Sequence, residues 1–148
     1  MERLQNKGRK WRKQRNEEVK IQLKPLDVAL SVCKLDSLDR QLLTEMKCEF
    51  IFLSKTDEEI SLVCSTDCVP ENTIAREDGW RALKIIGVLD FSLVGILSKI
   101  AGCLAKNSIP IFVNSTYNTD YILVKKDRFE QAVEVLTDSG YEVITGVV

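Results

Sequence analysis

Two periodicities alternate along this chain. Ile21-Gln22-Leu23 alternates apolar and polar, as a short half-buried strand does, and Pro25 stops it. Val28 to Leu35 is apolar and β-branched enough for a second strand. Leu38, Leu42 and Leu43 fit a short helix, with Ser37 or Asp36 as its cap. Phe50 to Leu53 and Ile60 to Cys64 are strand-like runs on either side of the turn Thr56-Asp57-Glu58-Glu59, which predicts a hairpin. Val69 to Gly79 is polar, contains Pro70, Asn72 and Gly79, and predicts a loop. The first half therefore reads strand, helix, strand, strand, without a second helix.

The second half is more regular. Trp80 to Val88 predicts a strand. Leu93, Ile96, Leu97, Ile100 and Leu104 recur at helical spacing and predict an amphipathic helix over 93–107. Pro110 cannot continue that helix, so Ile109 to Val113 and then Asp120 to Lys125 read as strands. Asp127, with Glu130 three residues later, forms a capping-box pattern ahead of a helix that buries Phe129, Ala132, Val133 and Leu136. Gly140 ends it, and Tyr141 to Val147 is the last strand. The order βαββαβ is the ferredoxin-like split βαβ motif. The expected fold is α+β: two tandem ferredoxin-like units, antiparallel sheets with helices on one face, the first unit truncated. The expected boundaries are a basic arm over 1–20, an incomplete unit over 21–78 and a complete unit over 79–148.

Composition narrows the function. Of 148 residues, 45% are hydrophobic and 29% charged, which allows a packed core. No apolar run reaches the roughly 18–20 residues of a membrane span, and no apolar stretch follows the charged N-terminus, so a cytoplasmic protein is expected. Histidine is absent, which removes the commonest general base and metal ligand. The five cysteines are an odd count for a disulfide framework, and the Cys64/Cys68 spacing is a poor match to zinc. Residues 1–20 hold eight Lys or Arg against three Glu, a net +5; with a chain total of −1 the remainder carries −6. Such an arm is either a solvated terminus or a polyanion contact, and Trp11 among the bases adds some weight to the contact.

Two segments point at a ligand. Asp90-Phe91-Ser92-Leu93-Val94-Gly95-Ile96 is a strand-to-helix turn, whose free N–H groups suit carboxylates and other anions. Asn114 to Tyr121, containing Thr116, Tyr117, Asn118, Thr119 and Asp120, lies where two strands meet. Each has a plain structural use as well. Gly95 allows helix–sheet packing, Ser92 is an N-cap, Asp120 starts a strand, and Tyr117 and Tyr121 are half-buried strand residues. Asn114-Ser115-Thr116 fits a glycosylation sequon, discounted because no secretory signal is seen.

Several ordered stretches over about 28–147 resemble ACT-domain proteins, in particular small bacterial proteins related to Castor-type arginine sensors and to the regulatory part of aspartate kinases. They are Ser31 to Asp36, Glu59 to Cys64, Gly79 to Lys84, Leu89 to Leu97 and Ser115 to Val124. The resemblance implies two ACT-like units, a homodimer and amino-acid binding at a unit interface, with no catalysis and no cofactor. The ligand carboxylate would then take the amides near Leu93, Val94 and Gly95, and the ammonium would take Asp120 or the carbonyls around Thr116. In arginine-binding relatives a Thr-aromatic-x-x-Asp stretch lines the pocket, matched by Thr116, Tyr117 and Asp120. Their helix-start segment carries an acidic residue where this chain has Leu93, which favours a less basic or apolar ligand.

Three functions compete. The first is a non-catalytic amino-acid sensor regulating a protein partner. The second is nucleic-acid binding by the basic arm and the sheet face, for which Tyr121 lacks the Gly-aromatic-x-aromatic pattern. The third is an enzyme, for which no nucleophile-and-base pairing is legible.

Overall fold

The computed structural model, which describes residues 21–45, 47–86 and 95–144, is assembled around one fourteen-residue strand, Thr73–Ile86. In chain order the elements are β1 (Gln22–Pro25), β2 (Leu30–Leu35), α1 (Arg40–Glu45), β3 (Ile51–Lys55), β4 (Ile60–Ser65), β5 (Thr73–Ile86), α2 (Ile96–Lys106), β6 (Ile111–Ser115), β7 (Asp120–Lys125), α3 (Phe129–Asp138) and β8 (Glu142–Val143). They form a mixed α+β fold with one sheet, ordered β3-β4-β2-β5-β1-β8, to which β7 and then β6 are joined through β5. Every pairing is antiparallel except β1 with β8.

Strand β5 belongs to both halves. Thr73 to Trp80 pairs with β2, Leu83 to Ile86 with β1, and Trp80 to Lys84 with β7. Trp80 is opposite both Leu30 and Lys125, so β2 and β7 lie on opposite edges of it. The first-half order β3-β4-β2-β5 recurs in the second half as β6-β7-β5-β8, with β1 interposed before β8. A 3-10 turn follows β4 (Thr66–Cys68) as another follows β7 (Lys126–Arg128), but only the second leads into a helix, α3.

The loop expected over Val69 to Gly79 is therefore corrected: of its residues only 69–72 lie between β4 and β5, and 73–79 are strand. Residues Ile74 to Asp78 are exposed and polar enough to read as loop, yet their backbone pairs with β2. Gly79, at φ +83, coincides with a register shift between Leu30 and Val32, a bulge of the kind glycine permits.

Smaller differences have local causes. The cap of α1 is Asp39, whose Oδ1 accepts from the Gln41 N–H at 2.9 Å, rather than Asp36 or Ser37. Asp127 sits inside a 3-10 turn over Lys126–Arg128, and Arg128 takes the cap position of α3 without a side-chain cap bond, so the expected capping box does not form. Ser108, at φ 56, and Pro110 delay β6 to Ile111. The C-terminal turn of α3 is as expected: Gly140, at φ 98, lets the Tyr141 N–H bond the Leu136 carbonyl at 3.1 Å.

Helices α2 and α3 cover one face of the second-half strands. Ile100, Leu104, Phe129, Ala132 and Leu136 pack there on Leu23, Leu83, Ile85, Ile122 and Val124. The other face carries Trp80, Ala82 and Leu123, which pack with Leu30 and Val63 from the first half. A third cluster joins Cys33, Leu35, Leu62 and Cys64 on the remaining face of β2 and β4. Among the described residues no helix is long and apolar enough to cross a membrane.

Candidate functional site

The β6–β7 turn is built by threonines. The Thr116 N–H and hydroxyl both donate to the Thr119 carbonyl at 2.8 Å, and the Thr119 N–H returns a bond to the Thr116 Oγ1 at 3.3 Å. The Thr119 side chain is only 6% exposed, and its hydroxyl donates to the Ile85 carbonyl at 2.6 Å. A buried bond this short fixes the turn against the last residues of β5. The turn residue Tyr117 is 89% exposed, Asn118 is exposed, and Asp120, the first residue of β7, is half-buried.

Of the helix-start segment, Asp90, Phe91, Ser92, Leu93 and Val94 lie outside the described residues. Gly95 occupies the N-cap of α2 at φ 91, and its carbonyl accepts the Lys99 N–H at 2.9 Å. A left-handed φ at this junction suits glycine. Ile96 is the first residue of the helix and is half-buried. The basic arm over 1–20 also lies outside the described residues.

Two donors flank Tyr121 beside the turn, Asn114 from the segment already singled out and Lys84 from outside it. Lys84 stands opposite Tyr121 across β5 and β7, its Nζ 5.9 Å from the ring centroid. Asn114 stands opposite Tyr121 on the other side, and its buried Nδ2 has no partner. Only the register reveals this row, because the two residues are thirty positions apart in the chain. The buried amide nitrogen also closes Asn114 to a glycan. Among the described residues no group of three His, Cys, Asp or Glu side chains can hold a metal ion.

Both faces of the second-half strands are covered, one by helices and one by the first half. Tyr121 packs edge-on to Phe52 at 5.0 Å between centroids, and Trp80 to Phe112 at 6.1 Å. These aromatics are not displayed for base stacking, so an open-sheet nucleic-acid platform is absent from the described residues.

Residues 75–138, from β5 to α3, match the family model of the ACT domain. Among solved structures it is similar to protein Atu0741 from Agobacterium tumefaciens, with 26% identity, a TM-score of 0.77, and 88% of this chain and 97% of that one covered. It is also similar to VC0802 from Vibrio cholerae, a protein of unknown function described as a possible transport protein, at 19% identity and TM-score 0.63, with 80% and 89% covered. The ligand-free regulatory subunit of aspartate kinase from Thermus thermophilus shares the fold at 12% identity and TM-score 0.59, with 84% and 98% covered. No curated protein matches this chain.

Proposed function

We propose that this ACT-domain chain is a non-catalytic regulatory protein of the cytoplasm that binds an amino acid or similar small ligand and works as a homodimer. The observation that carries this reading is the bond from the Thr119 hydroxyl to the Ile85 carbonyl. It ties the Thr116–Asp120 segment to the end of β5, the strand that leads toward the helix start at Gly95. A helix start that offers free amides and a polar turn tied to β5 would suit the carboxylate and ammonium of a free amino acid. The ligand would sit between ACT-like units, over 21–78 and 79–148, within one chain or across a dimer.

Leu93 directs the choice of ligand. An apolar residue at the position that is acidic in arginine-binding relatives favours a neutral or apolar amino acid. Thermal-shift screening of the full chain against the twenty amino acids at millimolar concentration tests the proposal. A ligand at 100 times its Kd stabilises the folded state by about 2.7 kcal/mol. Stabilisation by none of the twenty overturns the reading, and arginine as the strongest ligand overturns the role given to Leu93.

A further inference from the structure

Four of the five cysteines gather at one place away from the proposed ligand site. Cys33 and Cys64 are buried on the outer face of β2 and β4, and Cys48 and Cys68 pack against the same cluster while remaining partly exposed. All are free thiols. The β3–β4 register pairs Ile51 with Cys64. Continued three residues outward, that register would set Cys48 opposite Asp67, the neighbour of Cys68, where the chain turns through Thr66–Cys68. Both thiols pack against the one cluster, and the Cys48 thiol donates to the Phe50 carbonyl at 3.3 Å. Both cysteines sit on connecting turns rather than in strand pairs, so joining their sulfurs breaks no strand pairing.

We propose that Cys48 and Cys68 form a redox-active dithiol, with Cys48 the peroxide-reactive thiol and Cys68 its resolving partner. Burial raises the Cys48 thiol, but the hydrogen bonds from Cys68 and Ser65 outweigh it and the net shift is downward. Cys68, bonded to Cys48, is pushed up to about 11 and holds its proton. Burial pushes Cys64 up to about 12 and raises Cys33, which keeps both protonated and inert.

The chemistry closes with a hydroperoxide as oxidant. The Cys48 thiolate attacks one peroxide oxygen, the O–O bond breaks, and the departing oxygen takes a proton as water or alcohol. The Cys68 sulfur then attacks the Cys48 sulfenic acid, the S–O bond breaks, and the hydroxide leaves as water with the Cys68 proton. Two thiols lose two electrons and the peroxide gains them. The product links the connection ahead of β3 to the turn that leads into β5.

The test treats the reduced full-length protein with hydrogen peroxide, blocks remaining thiols by alkylation and maps the peptides. The expected product is an intramolecular Cys48–Cys68 disulfide, with loss of two of the five thiols and recovery on adding a dithiol reductant. Cys48→Ser slows thiol loss by at least about tenfold. Cys68→Ser leaves no cross-link and a Cys48 sulfenic acid that dimedone traps. Cys103→Ser, in the second half, leaves the reaction unchanged. Oxidation concentrated at Cys103, bonds only between chains, or Cys48 carried on to sulfinic acid while Cys68 stays reduced would each overturn the proposal. The map of the wild-type chain decides the matter even if a variant fails to fold.

Discussion

The rings of Phe52 and Tyr121 meet edge-on with centroids 5.0 Å apart, although β3 and β7 are four strands apart in the sheet. In a flat sheet four strand spacings would separate them by about 19 Å. The sheet must therefore curl until the first-half strands face the second-half strands. The buried set Leu30, Val63, Trp80, Ala82 and Leu123 fills the space between them. One continuous strand, β5, thus serves as the spine of two layers, and the pairing of the halves rests on side chains as well as on the shared backbone.

That contact has a measurable value. Phe52→Leu and Tyr121→Leu, made singly and together, should show a coupling energy of about 0.5–1.5 kcal/mol in a double-mutant cycle of urea denaturation. Each single change also loses packing against the cluster. Strict additivity would mean that the two halves do not press on each other through this pair.

The sequence carried the regular parts of this fold because burial there follows a period. Asp120–Lys125 has the expected strand boundaries, and Ile100, Leu104, Phe129, Ala132 and Leu136 are buried as helical spacing predicts. It concealed the first half of β5 because Ile74 to Asp78 is exposed and mostly polar, so no alternation marks it. Those residues are held by backbone pairing to β2 and by the Arg76–Asp78 ion pair, neither of which has a periodic signature. The insertion of β1 beside β8 and the curling of the sheet are long-range pairings that no local pattern encodes. At the candidate site, the polar segment from Asn114 to Asp120 was visible, but the anchoring of Thr119 to Ile85, the burial of the Asn114 amide and the donor Lys84 were not.

Thr119→Val keeps the shape of the side chain and removes its buried hydroxyl. The Ile85 carbonyl loses a 2.6 Å partner, and the stability of the chain should fall by about 1–3 kcal/mol in chemical denaturation. Amide exchange should quicken around 116–119 while the α2 and α3 amides change only with global stability. If the turn forms part of the ligand site, the variant also loses ligand-induced thermal stabilisation. Unchanged exchange in the turn would show that the Thr116 bonds hold it without Thr119.

Gly95→Ala separates backbone strain from ligand contact. Among the described residues nothing lies within 4 Å of a Cβ at this position. The φ of 91° is nevertheless costly for alanine, and the expected destabilisation is about 1–2 kcal/mol. A ligand approaching the amides at the start of α2 would meet the new methyl group directly. Ligand-induced stabilisation should then fall by more than the strain explains, as read from titration calorimetry beside denaturation. Equal affinity for variant and parent would move the ligand away from this helix start.

Asp78 makes the fold sensitive to acid. Arg76 holds its carboxylate in two bonds, Nε to Oδ1 at 3.0 Å and a second guanidinium nitrogen to Oδ2 at 3.1 Å, and the Ser31 hydroxyl donates at 2.6 Å. The hydrogen bonds from Arg76 and then Ser31 hold the Asp78 carboxyl below the usual carboxylate range. A carboxyl whose folded value is depressed contributes stability that is fully present above its unfolded value, about 3.9, and lost as the pH falls through the lower folded value. Asp78→Asn should therefore be less stable than the parent near neutral pH, and the difference should close below about pH 4. Urea denaturation of both proteins across that range reads the two curves directly. A difference that persists undiminished to about pH 2, below the usual carboxylate range, would assign the effect to lost packing at the β5 bulge instead of the charge.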